Sequence, residues 1–170
     1  HHRDDGHRCP CYLCREDLGQ ATAVPGRVCI SMVNIVVVSH GDLGEALIRA
    51  VEMIAGPQEK LFSVSLLPDE SPSAFGTKLS AALEPIRGQE ILVLVDLFGG
   101  TPYNVAACQL LRGEKVECVT GANLPMLLEL TMARDQTPLS ALAEMIAQAG
   151  QQSVKNVGPM LRGRCQDATA

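Results

Sequence analysis

The stretch Val33-Asn34-Ile35-Val36-Val37-Val38-Ser39-His40-Gly41-Asp42-Leu43-Gly44-Glu45 decides the fold. Its first six residues form a mostly β-branched run without polar alternation, the pattern of a strand buried on both faces. Ser39-His40-Gly41 interrupts the run, and Asp42 with Glu45 three residues on reads as a helix N-cap and its capping-box partner. Leu43, Ala46, Leu47, Ala50, Val51 and Ile54 recur at helical spacing until Gly56-Pro57 stops the helix. A doubly buried strand feeding a one-faced helix is the repeating unit of a parallel sheet.

The unit recurs along the chain. Lys60 to Leu67 reads as a second strand, and Ser71-Pro72 opens a helix carrying Phe75, Leu79 and Leu83 that ends near Pro85. Ile91 to Val95 is a third strand, ending in Asp96 and the turn Leu97-Phe98-Gly99-Gly100. Thr101-Pro102 reads as an N-cap with proline at the first helical position, and Tyr103 to Leu111 as the helix. Lys115 to Thr120 is a fourth strand. Gly121-Ala122-Asn123 leads into a helix over about Pro125 to Ala133, and Pro138 starts another that runs to Gly150. The expected fold is therefore α/β, a doubly wound, mostly parallel sheet with helices on both faces. The tail from Ser153 to Val157 offers a further edge strand.

Composition narrows the function. The 170 residues suit a single domain, and 46% apolar with 19% charged residues suffices to build a core. Fourteen basic against nineteen acidic residues give a net charge of −5. That opposes nucleic-acid binding and adhesion to an anionic membrane, both of which need clustered positive charge. No apolar run reaches membrane-spanning length, and no basic-then-apolar leader is present, so the expected location is the cytoplasm.

Residues 1–31 stand apart. They hold three of the four histidines and four of the seven cysteines (Cys9, Cys11, Cys14 and Cys29) without any sustained period. His7-Arg8-Cys9-Pro10-Cys11-Tyr12-Leu13-Cys14 resembles a metal clip, but a tetrahedral zinc site of this kind usually draws on a second cysteine cluster, and none follows. The segment reads as a poorly ordered extension, either a tag or upstream translation ahead of Met32. The regular domain is expected over 32–160, with a tail over 161–170. No metal or other cofactor is expected.

In an open parallel sheet, ligands bind beyond the carboxyl ends of the strands. Ser39-His40-Gly41, Asp96 to Thr101 and Gly121-Ala122-Asn123 all fall there, each leading to a helix N-terminus that favours an anion. His40 is the only histidine in the regular part of the chain. Asp96 ends an apolar strand, where a carboxylate is costly unless paired. If the first and third strands are neighbours, Asp96 accepts the Nδ1–H of His40 and leaves Nε2 as a nucleophile. The competing structural readings are a turn-capping aspartate and a tight glycine turn without ligand. Neither a Walker lysine nor G-x-G-x-x-G occurs in these turns, which disfavours nucleotide binding. A histidine nucleophile beside anion-friendly helix ends suits phosphoryl transfer.

Three motifs in order carry a family resemblance. Val37-Val38-Ser39-His40-Gly41, Val95-Asp96-Leu97-Phe98-Gly99-Gly100-Thr101-Pro102-Tyr103-Asn104 and Gly121-Ala122-Asn123-Leu124-Pro125-Met126-Leu127 resemble the IIA component of the mannose-type phosphotransferase system, and Met132-Ala133-Arg134-Asp135 extends the likeness. It covers about Met32 to Val157. The resemblance implies a flavodoxin-like strand order and a homodimer that exchanges a C-terminal strand. It also implies a histidine that takes a phosphoryl group from phospho-HPr and passes it to a IIB partner. On that basis His40 is the phosphorylated residue and Asp96 its orienting partner, while Gly41, Gly99, Gly100 and Thr101 contact the phosphoryl group. Phe98 stands where some relatives carry Trp and would shape the docking rim.

Other readings compete. A related IIA-like domain donates phosphate to dihydroxyacetone kinase, usually within a longer chain, and no HPr-like segment follows here. A regulatory module, read by a partner according to its phosphorylation state, would carry the same site. A metal-binding role for the cysteine-rich head would show as stoichiometric zinc lost on changing Cys9, Cys11 and Cys14.

Overall fold

The computed structural model describes residues 31–110, 113 and 115–167. The cysteine-rich head, and with it the zinc reading of Cys9, Cys11 and Cys14, lies outside the described residues. The element order is β1 (Asn34–His40), α1 (Leu43–Ala55), β2 (Leu61–Leu66), α2 (Pro72–Leu83) with a 3-10 turn over Glu84–Ile86, β3 (Ile91–Val95), α3 (Thr101–Leu110), β4 (Val116–Thr120), α4 (Leu124–Ala133), α5 (Leu139–Ser153) and α6 (Val157–Asp167). All strand pairs are parallel, in the order β2-β1-β3-β4. The expected doubly wound sheet is the one observed.

The pleat sorts the apolar runs onto two faces. Ile35, Val37, Leu92 and Leu94 join Val51 of α1, Leu127 and Leu130 of α4, and Leu142 and Ile146 of α5. Val36, Val38, Val93 and Val95 face the other way, against Phe75 and Leu79 of α2 and Ala106 of α3. This explains the lack of alternation in β1 and β3, since neither face meets water. Each such side chain contributes about 1.5–3 kcal/mol of burial free energy.

Three local expectations are corrected. Asp42 does precede α1, but its side chain makes no capping bond. Ser39, fully buried at the end of β1, takes over, with its Oγ accepting the Gly44 N–H at 2.8 Å. Glu45 lies instead 3.8 Å from Arg49, one turn along α1. The start of α3 shifts as well: Gly100, not Thr101, is the cap residue, its carbonyl accepting the Asn104 N–H at 2.9 Å.

The third correction concerns the tail. Ser153 to Val157 forms no strand: α5 runs on to Ser153, residues 154–156 carry no regular structure and α6 follows. Ser153 is committed to the helix end, its Oγ donating to the Gly150 carbonyl at 2.6 Å and accepting from Asn123 Nδ2 at 3.4 Å. Beyond it, Val154 is extended, but among the described residues no neighbouring strand supplies the ladder that would make it one.

Arg134 pins the opposite end of the sheet. It is buried, and its guanidinium donates to the Lys60 carbonyl at 3.4 Å and to Gln58 Oε1 at 3.2 Å, just ahead of β2. Burial lowers its pKa from the usual arginine value, opposed by Asp135 and Glu59. Its place in the fold is structural, remote from the strand ends where ligands bind.

Candidate functional site

The site begins with a mismatch in strand length. β1 pairs with β3 only as far as Val38 opposite Val95, yet it continues to His40 against Leu66 of β2. Where the ladder with β3 stops, the next residue, Asp96, folds its carboxylate under the overhanging end of β1. Asp96 Oδ2 accepts the backbone N–H of His40 at 2.9 Å and sits 2.9 Å from the ring Nδ1. One carboxylate oxygen thus replaces the missing rung of the sheet and holds the imidazole at the same time.

The two partners differ in exposure. The His40 side chain is 46% exposed and that of Asp96 only 9%. With Nδ1 held by the carboxylate, the neutral ring keeps its proton there and presents Nε2 as the free lone pair. Asp96 Oδ1 is buried with no hydrogen-bond partner among the described residues. A carboxylate so placed keeps more of its acceptor strength for the imidazole, because water and other donors do not compete.

The residues expected to meet an anion fall into different situations. Gly41 follows the histidine at φ +53°, a left-handed turn that suits glycine, and its N–H is spent on the Leu66 carbonyl at 2.8 Å. Gly99 also turns left-handed, at φ +79°, and its carbonyl accepts from Asn104 Nδ2 at 3.2 Å. Gly100 lies against the imidazole itself. Thr101 is the first residue of α3, and neither its amide nor its hydroxyl makes a hydrogen bond among the described residues. An anion on Nε2 would meet free donors at the start of α3, and the helix dipole there adds favourable field.

Apolar side chains stand at the same end of the sheet. Leu43, Leu67, Leu97 and Phe98 are all exposed, with Phe98 70% so. The Phe98 ring centroid lies 4.7 Å from that of Tyr103, which holds the turn residue in place. Of these only Phe98 stands out in the sequence. Leu43 and Leu67 read as ordinary helix and strand residues and Leu97 as part of a turn, and their exposure follows from their positions just past a strand end or at a helix start. The role of Ser39 was similarly hidden, since a serine before a histidine carries no capping signature.

A groove of about 1150 Å³ runs from Phe98 and Tyr103 along the outer strand, lined further on by Cys118, Thr120, Ala147 and Val154. Among the described residues, β4 has β3 on one side only, and its other edge carries unpaired backbone groups. Burial raises the Cys118 thiol to about 11, with Glu117 adding to the shift, so this cysteine is no thiolate nucleophile at neutral pH. None of the described helices is long and apolar enough to cross a membrane.

Residues 34–163 match the family model described as the PTS system fructose IIA component. The chain is 35% identical to the fructose-specific EIIA component of Bacillus subtilis, over 72% of its own length and 84% of that protein. It is 34% identical to the mannose-specific EIIAB component of Escherichia coli over 72% of its length, but spans only 39% of that longer protein. Among solved structures it is similar to the mannose/sorbose-specific IIA subunit of Enterococcus faecalis, with a TM-score of 0.70, 30% identity and coverage of 74% of this chain and 95% of that one. With a family match spanning the whole sheet and α1 to α5, the chain belongs to the mannose-type IIA family of the phosphotransferase system, whose members are phosphocarrier components.

Proposed function

We propose that this chain accepts a phosphoryl group from phospho-HPr on Nε2 of His40 and passes it to a IIB partner in the cytoplasm. The observation that carries the reading is the pairing of a half-exposed imidazole with a buried carboxylate 2.9 Å from its Nδ1. The neutral ring attacks phosphorus in line with its Nε2 lone pair. The bond from phosphorus to the donor imidazole breaks, and that imidazole leaves with the electron pair. His40 becomes cationic as the new N–P bond forms, and Asp96 stabilises the charge through the retained Nδ1–H. Positioning and helix-end donors supply the rest, with no metal or nucleotide required. Onward transfer is the same displacement with His40 as the leaving group.

The exposed Leu43, Leu67, Leu97 and Phe98 support a docking rim for protein donors and acceptors, since a phosphoryl group this exposed is protected only while a partner covers it. The test is incubation with a phospho-HPr system, followed by mass mapping of an acid-labile phosphate. One phosphoryl group on the peptide containing His40, lost in a folded His40→Ala variant, is the expected result. Label persisting in that variant overturns the assignment.

We also propose a homodimer in which a C-terminal segment of each chain pairs with β4 of the other. The β4 edge, unpaired among the described residues, the groove beside it and the extended, exposed Val154 support this reading. Deleting 154–170 should turn a dimer into a monomer in sedimentation, and a deletion variant that stays dimeric would refute strand exchange.

A further inference from the structure

Two adjacent glycines in the turn before α3 are present for opposite reasons. Gly99 has φ +79° and nothing within 4 Å of where a Cβ would stand. Its need is torsional. Gly100 is not among the residues with positive φ, so its backbone suits any amino acid. What it lacks is room: a Cβ at Gly100 would lie 3.0 Å from His40 Cε1, 3.5 Å from His40 Nε2 and 3.5 Å from the Leu97 carbonyl oxygen.

We propose that Gly100 is a positioning residue for His40, acting through its missing side chain, which lets the imidazole lie against the start of α3 while its Nδ1 stays on Asp96. The inference rests on the reading of His40 as the phosphoryl acceptor and adds what decides which ring nitrogen reacts. The ring is held between two supports. Asp96 Oδ2 grips Nδ1 at 2.9 Å, and the Cε1–Nε2 edge faces Gly100. A methyl group at position 100 meets Cε1 inside ordinary contact distance, so the half-exposed ring must give by a few tenths of an ångström. Moving outward stretches the bond to Asp96. With that bond weakened, Nδ1 holds its proton less firmly and the tautomer with the proton on Nε2 gains population, which takes the lone pair from the nitrogen that faces the free end of α3. The space a cap side chain would fill is thus kept open for the ring and its phosphoryl group.

The test compares wild type, Gly100→Ala and Gly100→Ser by long-range nitrogen–proton NMR of the His40 imidazole and by the rate of phosphoryl uptake from phospho-HPr. Serine is included because its hydroxyl is a good N-cap and supports α3, so a loss of function cannot be blamed on the helix. Wild type should show the proton on Nδ1. Both variants should show it shifted toward Nε2, and phosphorylate about 10- to 100-fold more slowly through kcat, with KM for phospho-HPr unchanged. Unaltered tautomer and rate in folded variants would overturn the proposal. So would a loss seen only in KM, which would make Gly100 a docking residue. If wild type takes no phosphoryl group while the tautomer still moves in the variants, the positioning role stands and the relay function falls.

Discussion

The helices α3 and α4 start from almost the same local plan and finish it differently. Their parent strands are neighbours, with Val95 paired to Thr120, and each strand is followed by a turn containing a left-handed glycine at φ +79°. Each helix then carries a proline in its first turn, Pro102 and Pro125. At α4 the chain closes its own helix, because Asn123 Oδ1 accepts the Met126 N–H at 3.0 Å. At α3 the equivalent position is Gly100, which has no side chain to offer, and the His40 ring lies there instead. A helix start left without its cap is a loss of local stability, and it becomes useful when an anion supplies the missing acceptor. The difference between two otherwise matching turns therefore marks where the sheet end turns from structure to chemistry.

The comparison breaks most severely from beneath α3, at Asp96. Asp96→Asn keeps an oxygen for the His40 N–H but removes the charge that favours a cationic ring. Phosphoryl uptake should fall by about 10²–10⁴-fold. The unfolding midpoint should stay within a few degrees of wild type, since the amide keeps the carboxylate's shape and removes a mostly buried charge. Uptake kinetics and thermal melts on the same preparation check both halves, and a variant that transfers at the wild-type rate would remove Asp96 from the mechanism.

The matching experiment at α4 should give the reverse pattern. Asn123→Ala deletes the cap bond to Met126 and the contact to Ser153, at a cost of about 1 kcal/mol or somewhat more. In a chain of this size that lowers the melting temperature by about 2–4 °C. Phosphoryl uptake at His40 should not change. A fall in uptake comparable to that of Asp96→Asn would mean that the two helix starts are not divided as described.

The uneven legibility of these features has a physical cause. β1 and β3 were plain in the sequence because a strand buried on both faces has little choice but to be β-branched and apolar. His40 and Asp96 draw notice as titratable side chains at the ends of such runs, although a turn-capping aspartate reads the same way. Their contact required β1 and β3 to be neighbours, which periodicity does not dictate and the family resemblance supplied. The caps were read less well. Asp42 and Glu45 match a capping pattern, yet Ser39 reaches Gly44 from the strand and makes that cap redundant. Thr101 looks like a cap by residue type, whereas the turn geometry gives the position to Gly100. The tail from Ser153 to Val157 fails for a different reason: strand formation there depends on a partner edge, and a sequence reports its own propensity, not the neighbour it will find.

A third strand-to-helix turn on the same end of the sheet sharpens the contrast by the smallest effect. Between β2 and α2 side chains close the turn: Ser71 Oγ accepts the Ala74 N–H at 3.1 Å, and Glu70 Oε2 accepts both the Leu67 N–H at 2.9 Å and Lys78 Nζ at 2.8 Å. The backbone bond from Leu67, then Lys78, hold the Glu70 carboxyl below its usual value of 4.5. A depressed carboxyl pKa in the folded state stabilises the fold above the unfolded value and loses that contribution as pH falls through the folded one. Glu70→Gln should therefore melt slightly below wild type at neutral pH, and the gap should close as the pH is taken below 4.5. Melting curves over that range check it, and two parallel pH profiles would show that Glu70 does not titrate as a clip for this turn. Phosphoryl uptake should be indifferent to the substitution, because Ser71 already caps α2 and Glu70 binds groups of its own turn, not the His40 ring.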